Sequence, residues 1–149
     1  MQIHLEGTEI LNLQRERVFG LLTDARFLAE SLPDAQEARV MDDGSVEAKM
    51  RIGISFLTTT MATKLRIEDV FQPHRARLLV EGSGSGSSIR ITSEFELEGE
   101  NPTKMRWVAD AEISGVMAGM GSGVMKGFAQ KKVAEIFRDI KKAMEKAPV

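Results

Sequence analysis

Apolar Ile3 and Leu5 alternate with polar Gln2, His4 and Glu6, a period of two that predicts a strand. The alternation slips after Gly7, because Ile10 is even while Leu11 and Leu13 are odd, so a bulge or a frayed end is expected there. Residues 14–32 change period. Val18, Leu21, Leu22, Ala25, Leu28 and Leu32 recur every three or four residues, which predicts two short helices, the second capped by Asp24 and ended by Pro33.

Alternation then returns for about eighty residues. A weak strand is expected near 37–41. Next, Val46, Ala48, Met50, Ile52, Ile54 and Phe56 share one face, against Ser45, Glu47, Lys49 and Arg51 on the other. Met61, Thr63, Leu65 and Ile67 follow, then a turn at Gln72-Pro73-His74, then Ala76, Leu78 and Val80. Ile89, Ile91, Ser93, Phe95 and Leu97 oppose Arg90, Thr92, Glu94, Glu96 and Glu98; Met105, Trp107, Ala109, Ala111 and Ile113 oppose Lys104, Arg106, Asp110 and Glu112. Short turns between successive strands predict an antiparallel meander with one wet and one dry face.

Residues 116–146 read as one long amphipathic helix, with Val124, Phe128, Val133, Ile136, Phe137, Ile140 and Met144 on its apolar side. One dry sheet face needs a cover and one long apolar helix is available. The fold class is therefore α+β, a helix-grip: a seven-stranded antiparallel curved sheet around a C-terminal helix, with two short helices between the first two strands. Residues 1–149 form a single domain with one core.

Composition narrows the chemistry. With 28% charged and 42% hydrophobic residues the chain is an ordinary soluble type. Its net charge of −2 offers no field for nucleic acid. The absence of cysteine removes disulfides, thiolate catalysis and zinc fingers. No signal peptide or spanning run appears, so a cytoplasmic protein is expected.

The dry face mixes large residues with small ones, Ala48, Ala76, Gly82, Ala109 and Ala111 standing among Met50, Ile52, Leu78, Phe95 and Trp107. Glycines at 115, 119, 123 and 127 form a bare stripe at helical spacing, interleaved with adaptable Met117, Met120 and Met125. Close packing of helix on sheet accounts for small residues alone; a cavity accounts for small residues and methionines together. An empty apolar void of about 300 Å³ would cost roughly 7 kcal/mol, and ten buried methylenes would return about 8. The expected ligand-binding residues are Met50, Ile52, Ile54, Met61, Thr63, Leu65, Leu78, Val80, Ile91, Ser93, Phe95, Trp107, Ala109 and Ala111 from the strands, with Met117, Met120 and Val124 from the last segment. The occupant is a small hydrophobic or amphipathic molecule.

Several segments also match a known family. Leu32-Pro33-Asp34-Ala35, Ile67-Glu68-Asp69-Val70 with Pro73, Glu81-Gly82-Ser83-Gly84, and Ala109-Asp110-Ala111-Glu112-Ile113-Ser114-Gly115 before Met-Ala-Gly-Met-Gly-Ser-Gly occur in an order that resembles the CoxG-like family of carbon monoxide dehydrogenase, within the START-like superfamily. The resemblance implies an interior tunnel for a lipid-like guest, and an accessory role beside a carbon monoxide dehydrogenase-type molybdenum hydroxylase, with membrane recruitment of that enzyme. It implies no catalytic residue, metal or cofactor. An isoprenoid quinone is the guest a redox partner makes natural. The chain stops at Val149, without the C-terminal extension some members use near membranes.

Other motifs have plainer readings. Residues 82–88 are a flexible hairpin loop, with gating of the tunnel as a secondary role. Gly119-Met120-Gly121-Ser122-Gly123 lacks the βαβ context and spacing of a dinucleotide fingerprint. Glu94, Glu96 and Glu98 lie on the wet face, as do Arg51, Arg66, Arg75, Arg77, Arg90 and Arg106. His4 and His74 have no partner legible in the sequence. Lys131, Lys132, Lys141 and Lys142 are either a solvated helix face or a contact for anionic headgroups. Two rivals remain. A cyclase or dehydratase would need ionisable groups on the dry face, where the alternation shows none; a protein-interaction module would have a collapsed interior.

Overall fold

The computed structural model describes residues 1–32, 34–54 and 57–147. Pro33 and Phe56, invoked above, lie outside the described residues, as does Val149. The elements run β1 (Gln2–Leu11), α1 (Arg15–Leu22), α2 (Ala25–Ser31), β2 (Ala35–Val40), β3 (Val46–Ile54), β4 (Leu57–Phe71), β5 (Arg75–Gly84), β6 (Ser87–Glu98), β7 (Thr103–Gly115) and α3 (Ser122–Lys146). The strands form one antiparallel sheet in the order β1-β7-β6-β5-β4-β3-β2. Asp24 caps α2 as expected, its carboxylate accepting from the Arg26 and Phe27 amides at 3.0 and 3.2 Å.

Three local expectations are corrected. β1 carries no bulge at Gly7: its pairing with β7 runs unbroken from Gln2 to Leu11, odd residues facing inward. Ile10 is simply an outward residue, 51% exposed. Gly7 instead makes room, since a Cβ there would come within 2.8 Å of the Trp107 ring. The irregularities sit in β2 and β4, where Glu37 and Asp69 adopt positive φ and the register shifts.

Residues 82–88 are not a loop. Gly84 pairs with Ser87 across a two-residue turn, Ser85-Gly86, with φ of 51° and 77°. Positive φ at both positions is the turn whose twist matches the flanking strands. The hairpin is also anchored, Gly86 O accepting from the Val116 amide at 3.1 Å and Ser87 Oγ from the Met117 amide at 3.0 Å.

The last helix begins at Ser122, after a 3-10 turn at Ala118–Met120 and Gly121 at φ 96°. The four glycines therefore do not form one stripe against the sheet. Gly115 sits in a strand end at φ 85°, where a Cβ would lie 2.0 Å from Gly86 O, while Gly119, Gly123 and Gly127 face open space. Spacing of four suggests a shared face only while the helix is continuous, and here it is not.

The buried residues gather in three clusters, two of them joined through Phe27. One gathers Leu11, α1 and the lower strand ends, with Phe19 against Phe95 and Ile140 and Met144 above them. A second gathers Ile3, Ile54, Met61, Ile113, Met117 and Met125 at the opposite end. A third, smaller one joins Leu28 to Val46 and Leu65. No described helix is long and apolar enough to cross a membrane.

Candidate functional site

The register places the inward residues in rows across the sheet. Leu5 stands opposite Ala109, then Ser93, Leu78 and Ile67. The next row carries Ala111, Ile91 and Val80. Every one of these side chains is half-buried although all lie on the concave face. Above them α3 is fully buried only at Met125, Ile140 and Met144. The helix is thus packed hardest at its two ends, and between them the inward sheet residues of these rows stay half-buried.

Of the expected lining residues, Met50, Ile52, Thr63, Leu78, Val80, Ile91, Ser93, Trp107, Ala109, Ala111 and Met120 are half-buried. Ile54, Met61, Leu65, Phe95 and Met117 are packed into the three buried clusters. Val124 is 47% exposed on the solvent side of α3, beside the exposed glycines, and leaves the lining.

Inward polar groups are few. The Ser93 hydroxyl donates to Leu78 O at 3.1 Å and that of Thr63 to Met61 O at 3.3 Å. The buried Thr59 hydroxyl and the Trp107 indole Nε1–H have no hydrogen-bond partner. Across β1 and β3–β7, one ionisable side chain shares the concave face among the described residues: Glu9, bound to Lys141 of α3 at 2.6 Å. The expected absence of ionisable groups there is corrected, and the apparent slip after Gly7 is what hid it.

Lys141 and Lys132 are not a free basic face. Lys132 reaches Asp34 at 2.6 Å and Glu135 at 3.0 Å. Burial opposes its charge, but the two carboxylates outweigh burial and raise its pKa. One lysine therefore ties α3 to each margin of the sheet, Lys141 to β1 and Lys132 to the start of β2. Lys131 and Lys142 remain exposed.

Beside the Glu9–Lys141 pair, a crevice of about 620 Å³ separates β1 from α3. Leu5, Trp107, Val133 and Phe137 form its apolar floor, the Trp107 and Phe137 ring centroids lying 5.2 Å apart. A larger groove of about 760 Å³ crosses the outer face. Its walls are the charged strand residues Lys49, Lys64, Glu81, Arg90 and Glu112, so it is not an apolar chamber.

The outer face also explains the remaining motifs. His4 hydrogen-bonds Asp110 at 2.6 Å and Glu6 at 3.0 Å, partners the sequence did not disclose. Glu6 and then Asp110 raise its pKa. Glu94 and Glu98 pair with Arg77 and Arg106 in open solvent. Among the described residues no group of three or more metal-ligating side chains occurs.

The family model of the carbon monoxide dehydrogenase CoxG subunit matches residues 7–145. No curated protein matches the chain significantly. Among solved structures, a conserved protein from Geobacillus kaustophilus superposes with a TM-score of 0.87 at 21% identity, over 97% of this chain and 96% of that one. A START superfamily protein from Mycobacterium smegmatis gives 0.69 at 11% identity, over 95% and 97%. The Zhui aromatase/cyclase from Streptomyces sp. R1128 gives 0.68 at 11%, over 97% and 94%. These likenesses establish the helix-grip fold.

Proposed function

The chain belongs to the CoxG family of carbon monoxide dehydrogenase, and from that premise we propose that it is a non-catalytic carrier of a small hydrophobic or amphipathic molecule of lipid or isoprenoid quinone type. The guest lies between sheet and helix, and the carrier serves a carbon monoxide dehydrogenase-type molybdenum hydroxylase, in the cytoplasm or at the inner face of the membrane.

One observation carries this reading: the concave rows under the middle of α3 are half-buried while the residues at both ends of the helix are packed. Apolar side chains that neither pack nor face bulk water gain about 25 cal/mol for each Å² a guest covers. A collapsed protein-interaction module would bury Leu78, Val80 and Ile91 completely. Proton-transfer chemistry of the cyclase type needs an ionisable side chain free in the interior. Glu9 is instead committed to Lys141 at the margin.

The test is mass spectrometry of an organic extract of the purified protein, expected to yield a quinone or lipid near one per chain; only traces would refute the reading. Ala111→Trp, filling the hollow, should abolish uptake of an apolar fluorophore in a folded variant. Persisting uptake would move the site elsewhere.

A further inference from the structure

We infer that the crevice between β1 and α3 is the mouth of the hollow and a head-group site, taking an amphiphile whose apolar chain runs inward and whose head is an oxygen acceptor, best a carboxylate. The inference rests on the carrier reading and adds the route and the chemistry of the head.

Continuity is the first argument. Leu5, on the crevice floor, begins the half-buried row that continues through Ala109, Ser93 and Leu78, so the floor of the crevice and the floor of the hollow are one surface. Its volume of about 620 Å³ is within the range of small-molecule sites.

The second argument is the sign of the polar groups. At the end of the apolar floor Lys141 already holds a carboxylate, that of Glu9, at 2.6 Å. A ligand carboxylate has the same contact to make by exchange. Glu9, with its side chain 25% exposed, can then turn to water. Arg138 adds a second cation at the rim. An ammonium head would have to displace Lys141 from Glu9 and would leave that lysine beside Arg138, a like charge three residues earlier on the same helix face.

Trp107 is the chain's sole tryptophan, so a change in emission reports on binding beside its ring. The full-length protein is titrated with dodecanoate, dodecanol and dodecylamine, each below its micellar concentration. Dodecanoate should shift the emission saturably and bind about tenfold more tightly than dodecanol, as one charge-assisted contact predicts, with dodecylamine weakest. Lys141→Gln, its fold checked by circular dichroism, should erase the preference for dodecanoate over dodecanol; Lys141→Arg should retain it. Equal affinities, tighter binding of the amine, binding without a change in emission, or a preference that survives Lys141→Gln would overturn the mouth and leave the carrier reading standing. Failure of all three amphiphiles to bind would overturn both.

Discussion

The two ends of α3 and its middle rest on the same sheet and behave differently. At the ends, Met125, Ile140 and Met144 are buried against large partners, Met61 and Met117 on one side, Phe19 and Leu97 on the other. Between them, Val133 stands half-buried beside the crevice, and Ile136 and Phe137 lie half-buried against the edge of the first cluster. A helix needs firm packing only where it is anchored. In the carrier reading, the looser packing beneath its centre is what a guest would complete.

The comparison is most directly tested at the anchors. Met125→Ala and Met144→Ala should each cost about 2–5 kcal/mol, the range for deleting a buried large side chain, whereas Val133→Ala should cost less than about 1. Denaturant melts of the three variants check this; an equal loss at Val133 would mean that the middle is packed as well. Next in size is Ser87→Ala, which leaves the buried Met117 amide without its acceptor. Chemical denaturation should show a loss of about 1–3 kcal/mol, the desolvation cost of an unpaired buried donor. Ala109→Leu should fall within about 1 kcal/mol of the parent, because the hollow has room; a cost of about 1–3 kcal/mol, usual for overpacking, would show that it has none.

Smaller effects come from the polar contacts. Asp34→Asn should cost at most about 1 kcal/mol, since both members of the Asp34–Lys132 pair are partly exposed. The His4 cluster supplies a pH signature. Because Glu6 and Asp110 raise the folded-state pKa, its contribution is fully present below the ordinary histidine value near 6.5 and disappears as pH rises through the higher folded value. His4→Gln should flatten the stability profile in that window, measured by thermal melts across pH; an unchanged profile would remove the cluster as its source.

Much of this was legible in the sequence. Alternation across the strands gave the correct inward face throughout β3 to β7, since a period of two leaves no other assignment where one face is dry. Asp24 declared its cap. What the sequence hid were features that depend on where chain segments stop. Gly121 breaks the last helix, so the even spacing of the glycines carried no shared face and Val124 turned outward. Glu9 looked like a flaw in a strand because its partner, Lys141, lies 132 positions away. The division between hollow and cluster depended on which helix residue sits above each row, and alternation holds no information about that height.

The paired tethers at Lys141 and Lys132 have a consequence for the medium in which the protein works. Each joins α3 to one margin of the sheet by attraction between opposite charges, and dissolved electrolyte weakens such attraction over distances of about 8–10 Å at ordinary ionic strengths. The greasy anchors at the helix termini do not share that sensitivity. Concentrated salt should therefore slacken the flanks of the clasp before it loosens the hinges, admitting solvent sideways while the chain stays folded.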